Sequence, residues 1–247
     1  ALNPIFVQEE FDKEVTKAVE GLKADEKSVT SIARRVENAL TYGKSHYNGE
    51  YVTEETLKNI TLEDVKLNYN TYFVPGNAYL VIVGDVNVKE TKKEVERLFG
   101  KWKKATAPSL SYNDPVDVQY SQINFIDAPN AVQSEVAVVN LSKLKMTDKD
   151  YFAAILANQI LGGGGEGRLF LNLREKHGWT YGSYSNLGSG KYINKFRSGA
   201  AVRNAVTDSA VVEIFNELKR IRTELVSDEE LRNAKAKYVG NFVMQIE

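Results

Sequence analysis

The 247-residue sequence is 43% hydrophobic and 26% charged, a composition typical of a globular chain with one large domain or two of ordinary size. Lys and Arg number 32 against 33 Asp and Glu, so a formal charge of -1 provides no overall basic field for nucleic acid or an anionic membrane. Zero cysteines exclude disulfides, thiolate catalysis and Cys-ligated zinc. The longest apolar run has the length of a strand, far below the roughly 20 residues of a membrane span.

Helical patterns dominate the first hundred residues. The predicted helices cover 11–23, 29–40 and the segments that follow the N-cap residues Thr53, Thr61 and Asn87. Thr61 with Asp64 resembles a capping box, and Ser227 with Glu230 forms a full one before the last predicted helix. The segment 77–84 is apolar throughout its middle and predicts a buried strand.

Residues 105–115 contain Ala-Thr-Ala-Pro-Ser and a second proline, which favours a linker between domains 1–104 and 116–247. Beyond it, the predicted strands cover 118–126, 134–141, 180–187 and 192–202, and the predicted helices lie near 148–161, 168–176, 211–225 and 228–247. Helices mixed with antiparallel hairpin strands predict an α+β fold, not a doubly wound sheet. Because the first residues resemble no signal peptide and the last lie within a helical pattern, we expect both ends to be cuts within a longer protein.

A glycine run follows one of the predicted helices. Gly162, Gly164 and Gly167 formally make the dinucleotide-binding pattern G-x-G-x-x-G, but that pattern must follow a strand. We therefore interpret the run as a flexible helix terminator that lets two backbones approach closely. The glycines of this predicted flexible loop are Gly162, Gly163, Gly164 and Gly165.

The two histidines limit the available chemistry. His46 lies in a predicted loop and His177 at a charged helix end, and neither has a second histidine four residues away. A histidine-pair zinc site on one helix cannot be built from this sequence.

The segment 158–181, from Asn-Gln-Ile-Leu through the glycine run to Leu-Arg-Glu-Lys-His-Gly-Trp-Thr-Tyr, resembles the second-domain signature of the insulinase, pitrilysin and mitochondrial processing peptidase family of zinc metallopeptidases. The resemblance extends over nearly the whole chain, through segments such as Tyr42-Gly43-x-x-His46-Tyr47 and Val83-Gly84-Asp85-Val86. It implies two α/β sandwich layers, each an antiparallel-rich sheet covered by helices and both truncated: the end of a first domain and most of a second.

The family resemblance also implies how the zinc site is affected. Family members carry His-x-x-Glu-His, which is absent from this sequence, and complete the metal site with a Glu on a later helix. Glu14 matches the first of that helix's two glutamates, but the ligand position falls on Gly21, with Glu20 as the alternative after a shift of one residue. We expect this chain to bind no zinc and to be inactive alone, with zinc on a partner chain or on a missing part.

Arg174 and Tyr181 match the Arg and Tyr with which the family holds a substrate carbonyl beside the zinc of the first domain. The resemblance therefore implies a substrate-binding subunit that forms half of a clamshell chamber with a zinc-bearing homologous subunit and accepts peptide or unfolded polypeptide. The alternative is a structural homologue, like the core subunits of a respiratory complex. No nucleic acid or membrane span is expected, and the family suggests the bacterial periplasm or cell envelope as a first hypothesis for the compartment.

Overall fold

The computed structural model describes residues 2–246. Its helices are α1 (Gln8–Asp25), α2 (Val29–Tyr42), α3 (Glu54–Lys58), α4 (Leu62–Tyr72), α5 (Val88–Phe99), α6 (Tyr151–Gly162), α7 (Arg168–Phe170), α8 (Thr207–Thr223) and α9 (Asp228–Ile246). Its strands are β1 (Gln133–Ser142), β2 (Ser183–Leu187) and β3 (Asn194–Arg203). Short 3-10 turns lie at Pro75–Asn77 and Asn204–Val206, and a π-helical turn, Leu171–Lys176, follows α7 directly.

The chain groups into two compact units. Unit 1 comprises the residues up to Ala24 together with Val52–Tyr112, and unit 2 comprises Asp25–Tyr51 and the residues from Asn113 onward. The division after Tyr112 falls within the segment predicted as a linker. Residues 25–51, which the sequence analysis assigns to the first domain, group with unit 2 because α2 packs against β1.

Unit 1 is helical: α3, α4 and α5 begin directly after the predicted N-cap residues, whereas α1 begins at Gln8, three residues before its predicted start. The Thr61 hydroxyl accepts a hydrogen bond from the Asp64 N–H at 3.2 Å, and the Asp64 carboxylate accepts from the Thr61 N–H at 2.8 Å, so the predicted capping box at α4 is confirmed. Aromatic rings then hold α4 to its neighbours, with Tyr69 stacked on Phe73 at 4.9 Å and Phe73 at 5.2 Å from Trp102.

Two predicted strands are wrong. The segments 77–84 and 118–126 form no strand in the structure, although their apolar residues match the pattern. Tyr79 is 98% exposed and Val83 is 90% exposed, so the first segment is not buried. A strand needs a neighbour for its backbone N–H and C=O groups, and residues 2–246 provide none for either segment.

Unit 2 contains a three-stranded antiparallel sheet in the order β1-β3-β2. β1 pairs with β3 over ten residues, from Gln133 opposite Arg203 to Ser142 opposite Asn194, and β2 pairs with the middle of β3, from Ser183 opposite Ala200 to Leu187 opposite Phe196. The predicted α+β class with an antiparallel sheet is confirmed.

The core of unit 2 lies between this sheet and the helices α6 to α8. Its completely buried side chains include Leu169, Leu173, Val202 and Ile214, which come from α7, the π-turn, β3 and α8. Burying an apolar side chain of this size contributes about 1.5–3 kcal/mol. These four side chains therefore fix the segment 168–176 against the sheet.

A buried charge cluster fastens α2 to the sheet. The Glu37 side chain is 5% exposed and pairs with Lys195 and with Arg197, whose Nε lies 2.9 Å from Glu37 Oε2. Arg197 also pairs with Glu135 at 2.9 Å. Two cations and two carboxylates balance one another there, which a buried charge requires.

Candidate functional site

Arg174 lies on the π-helical turn of unit 2. The neighbouring Leu173 is completely buried, whereas the Arg174 side chain is 47% exposed, so the turn anchors one residue in the core and directs the next outward. The turn ends at Gly178, which has φ +63° and donates its N–H to the Arg174 carbonyl at 2.9 Å. A positive φ at a helix end favours glycine, and this explains the chain reversal that brings the following residues back along the helix.

Tyr181 lies at the apex of a tight turn just before β2. The Thr180 hydroxyl accepts a hydrogen bond from the Gly182 N–H at 3.1 Å and donates one to the Gly182 carbonyl at 2.9 Å. Thr180 thereby closes the turn around Tyr181, and the Tyr181 side chain is 87% exposed. Tyr181 is therefore neither a core aromatic nor a residue of β2.

A row of rings connects Arg174 with a polar groove. The Arg174 guanidinium carbon lies 4.9 Å from the centre of the Phe170 ring, and Phe170 lies 5.9 Å from the Tyr184 ring. Tyr184 in turn lines a groove of about 570 Å³ between the end of α6, the glycine run and β2. Its other polar lining residues are Asn158, Gln159, Ser185, Asn186 and Arg197. The amide groups and the Ser185 hydroxyl can bond to the backbone of an extended polypeptide, whereas Arg197 is already paired with Glu37 and Glu135.

The glycine run packs closely. A Cβ on Gly162 would lie 2.4 Å from the Ser185 backbone nitrogen and 2.8 Å from a Leu169 methyl group, so glycine is needed where α6 crosses β2. The run follows α6, as predicted, and α6 ends at Gly162. Gly163 and Gly164 line the groove, and a Cβ on Gly165 would meet only the Phe170 ring, at 3.8 Å.

The described residues do not fit a zinc site. Gly21 has no neighbour within 4 Å of an added Cβ, and Glu20 is exposed on the same helix. His46 is 8% exposed and stacks on Tyr42 at 5.3 Å, while its Nδ1 accepts a hydrogen bond from the Asn48 N–H. Over residues 2–246 no three His, Asp or Glu side chains are grouped so that they could hold a metal ion.

Sequence reasoning missed the polar contacts that shape this site. The π-turn has no recognisable signal in the pattern Leu-Asn-Leu-Arg-Glu-Lys, because its i to i−5 hydrogen bond depends on tertiary contacts. Thr180 and Gly182 could have been found, since a threonine hydroxyl commonly closes a turn on a backbone group two residues later.

In the described chain no helix has the length and apolar character of a membrane crossing.

The fold and the site define a class of protein: a mixed helix and antiparallel-sheet module that presents an exposed arginine and tyrosine and, within residues 2–246, no cluster of side chains that could hold a metal ion. The family model described as Peptidase M16 inactive domain matches residues 59–238 of this chain. The chain belongs to that family. The predicted resemblance to the zinc metallopeptidase family, as a part without the zinc motif, is thereby confirmed.

Individual relatives agree with this assignment. "Probable inactive metalloprotease YmfF" of Bacillus subtilis is 26% identical over 191 residues, which cover 77% of this chain and 43% of that protein. The peptidase M16 inactive domain from Pseudomonas fluorescens has the same fold, with a TM-score of 0.83 at 21% identity over 96% of this chain and 57% of that one. A chain of Complex III2 from Candida albicans has a TM-score of 0.71 at 14% identity, covering 95% of this chain and 57% of its own. This chain thus spans about half the length of the relatives it matches.

Proposed function

We propose that this chain is the substrate-contacting half of a paired peptidase chamber, in which Arg174 and Tyr181 hold the carbonyl of a peptide substrate. The exposure of Tyr181 is the single observation that carries the proposal. A tyrosine within the predicted strand 180–187 could have packed into the core, but Tyr181 lies on a turn before β2 and is 87% exposed. A side chain kept outside by its own turn is available to a ligand.

The chemistry of the pair suits a carbonyl that gains negative charge. A guanidinium offers planar N–H donors and a phenol offers one O–H donor, and neither needs a metal to stabilise an oxyanion. Phe170 supports one flat face of the Arg174 guanidinium, and Arg174 Nε lies 3.5 Å from the exposed Glu175 carboxylate, an ion pair with which a substrate carbonyl would compete. The polar groove beside Tyr184 would accommodate the peptide on either side of the bound carbonyl.

Water activation would come from elsewhere. Since the described residues provide no zinc ligands, the zinc that the family uses would be held by a homologous partner or by the rest of a longer protein. The proposal therefore requires a second, zinc-bearing half.

A non-catalytic structural role is the second candidate. It is supported by Gly21 at the expected ligand position, by a relative named as an inactive metalloprotease, and by the shared fold of a respiratory complex chain. In that case the chamber would persist without hydrolysis, and Arg174 and Tyr181 would have no substrate to hold.

Peptide cleavage distinguishes the two candidates. The full-length protein is assayed with an internally quenched peptide of random-coil sequence, alone and after mixing with the homologous chain from the same source that carries His-x-x-Glu-His. The proposal predicts little hydrolysis by either protein alone and a large increase for the mixture. If one longer protein carries both halves, hydrolysis should instead require that whole protein. Equal hydrolysis by the zinc-bearing chain with and without this protein would support the structural role.

A further inference from the structure

A largely buried polar cluster is formed by a residue of the same π-turn that carries Arg174. Asn172, two residues earlier on the π-turn, is 8% exposed, and its Nδ2 donates hydrogen bonds to Glu213 Oε2 and Glu217 Oε1, both at 2.8 Å. An amide NH₂ group has two N–H donors, so one is available for each carboxylate. We call this group of Asn172, Glu213 and Glu217 the amide clamp.

The clamp suits an amide and no other side chain of the same size. Glu213 and Glu217 are four residues apart on α8 and therefore project from the same face, where two like charges repel each other. The hydrogen bond from Asn172 is the main reason that the pKa of Glu213 is lowered, with the charges of Lys176 and His177 adding to it. Glu217 is 7% exposed, so an aspartate at position 172 would bring a third carboxylate into a nearly closed space.

Asn172 also closes the π-turn through its backbone. Its carbonyl accepts a hydrogen bond from the His177 N–H at 3.1 Å, which is the i to i−5 bond that distinguishes this turn from an α-helix. The next residue, Leu173, is completely buried in the core. The clamp thus holds the side chain of the same residue whose carbonyl defines the turn.

We infer that Asn172 is a positioning residue for Arg174: the amide clamp stabilises the π-turn, and the π-turn directs the Arg174 guanidinium over the Phe170 ring. An ordinary α-helix would also place Phe170 and Arg174, four residues apart, on one face, but each of its residues turns by about 100° and the wider π-turn rotates each residue by less. Relaxation of the turn would therefore displace the Arg174 guanidinium from its present position over the Phe170 ring. The functional meaning of this inference rests on the proposed substrate contact of Arg174, but its geometry is tested without substrate.

The test is NMR of the side-chain Nε–Hε group of Arg174 in the 247-residue chain. Its resonance is assigned as the one that disappears in Arg174→Lys, and the Phe170 ring should shift it upfield. We expect Asn172→Asp to reduce the upfield shift while the amide resonances of β1 and β3 stay in place. Adding Glu217→Gln to Asn172→Asp should restore the shift, since the Gln amide can donate to the new carboxylate.

Two further variants keep the test decisive. Asn216→Ala removes another amide donor to Glu213, bonded at 3.2 Å from the exposed side of α8, and should leave the Arg174 resonance unchanged. If Asn172→Asp does not fold, Glu213→Leu removes one arm of the clamp and should reduce the upfield shift. Any one of three results would overturn the inference. The Arg174 resonance could stay unchanged in a folded clamp variant, it could fail to recover in the double variant, or Asn216→Ala could change it as much as Asn172→Asp does. If the clamp variants move Arg174 but Arg174→Lys cleaves peptide normally in the paired assay, the proposed function is wrong, and the inference that Asn172 positions Arg174 is still supported.

Discussion

The guanidinium of Arg168 donates two hydrogen bonds to the carboxylate of Glu230, from Nε at 2.6 Å and from Nη2 at 3.0 Å. The Arg168 side chain is 4% exposed, so this pair joins α7 to α9 within the protein. Glu230 also accepts a hydrogen bond from the Ser227 N–H at 2.9 Å and thereby completes the predicted capping box of α9. One carboxylate therefore serves the start of α9 and the packing of the segment that carries Arg174.

This pair predicts an acid-sensitive contribution to stability. The Arg168 hydrogen bonds lower the pKa of Glu230 from 4.5 to about 2. A carboxylate whose pKa is lower in the folded than in the unfolded state stabilises the protein. This contribution is complete above the unfolded pKa of 4.5 and is lost as the pH falls from about 4.5 towards 2. We expect Glu230→Gln to cost about 2 kcal/mol at pH 7, less than the full shift would give because the Glu230 side chain is 29% exposed.

Urea unfolding of the wild type and Glu230→Gln at pH 7, 5 and 3 measures this contribution, and the difference in unfolding free energy should narrow towards pH 3. The neighbouring Glu229 is exposed, so Glu229→Gln serves as the control and should change stability by no more than about 0.5 kcal/mol at any of these pH values. A difference for Glu230→Gln that stays constant over the pH range would contradict the assigned pKa.

The glycine run gives a second prediction. Gly162→Ala should destabilise unit 2 by about 1–3 kcal/mol, because its Cβ would collide with the Ser185 backbone nitrogen at 2.4 Å. Gly165→Ala is the matched control three residues later, where the nearest atoms of Phe170 lie at 3.8 Å. Thermal unfolding of both variants should show a lowered midpoint for the first alone. Equal midpoints would mean that the run serves only for flexibility.

The buried Glu37 gives a third prediction. Glu37→Ala leaves Lys195 and Arg197 without their shared carboxylate, and removal of one partner from a buried ion pair costs about 3–5 kcal/mol. Hydrogen exchange should therefore become faster throughout α2. The exposed Glu50, just beyond α2, is the control site, and Glu50→Ala should leave exchange in α2 unchanged. Unaltered exchange in Glu37→Ala would show that apolar contacts alone hold α2.

The sequence predicts the helices well because their signals are local. Thr61 and Ser227 cap helices as predicted, since each hydroxyl bonds to a backbone N–H three residues later. The apolar run 77–84 predicts a strand that does not form, because strand formation depends on a partner that lies far away in sequence. Tyr79 and Val83 have β-forming character but no neighbouring strand among the described residues.

For the candidate site, too, the sequence identifies some features and not others. Arg174 and Tyr181 could be chosen from the resemblance of the segment 158–181, but their surroundings could not. The contacts of Asn172 with Glu213 and Glu217 join residues more than 40 positions apart, and Glu37 reaches Arg197 across 160 positions. Neither contact leaves a periodic pattern, because each depends on the tertiary packing of a single polar side chain.

Turnover of Arg174→Lys and Tyr181→Phe in the paired peptide cleavage assay tests the central claim most directly. The first variant loses the planar fork of the guanidinium, and the second loses one hydroxyl, so each should lower turnover on the order of 10²-fold. Both should keep the wild-type melting temperature, because both side chains are exposed. Arg222→Lys and Tyr120→Phe, at exposed positions elsewhere, are the controls and should cleave at the wild-type rate. Unchanged turnover in both Arg174→Lys and Tyr181→Phe would contradict the account.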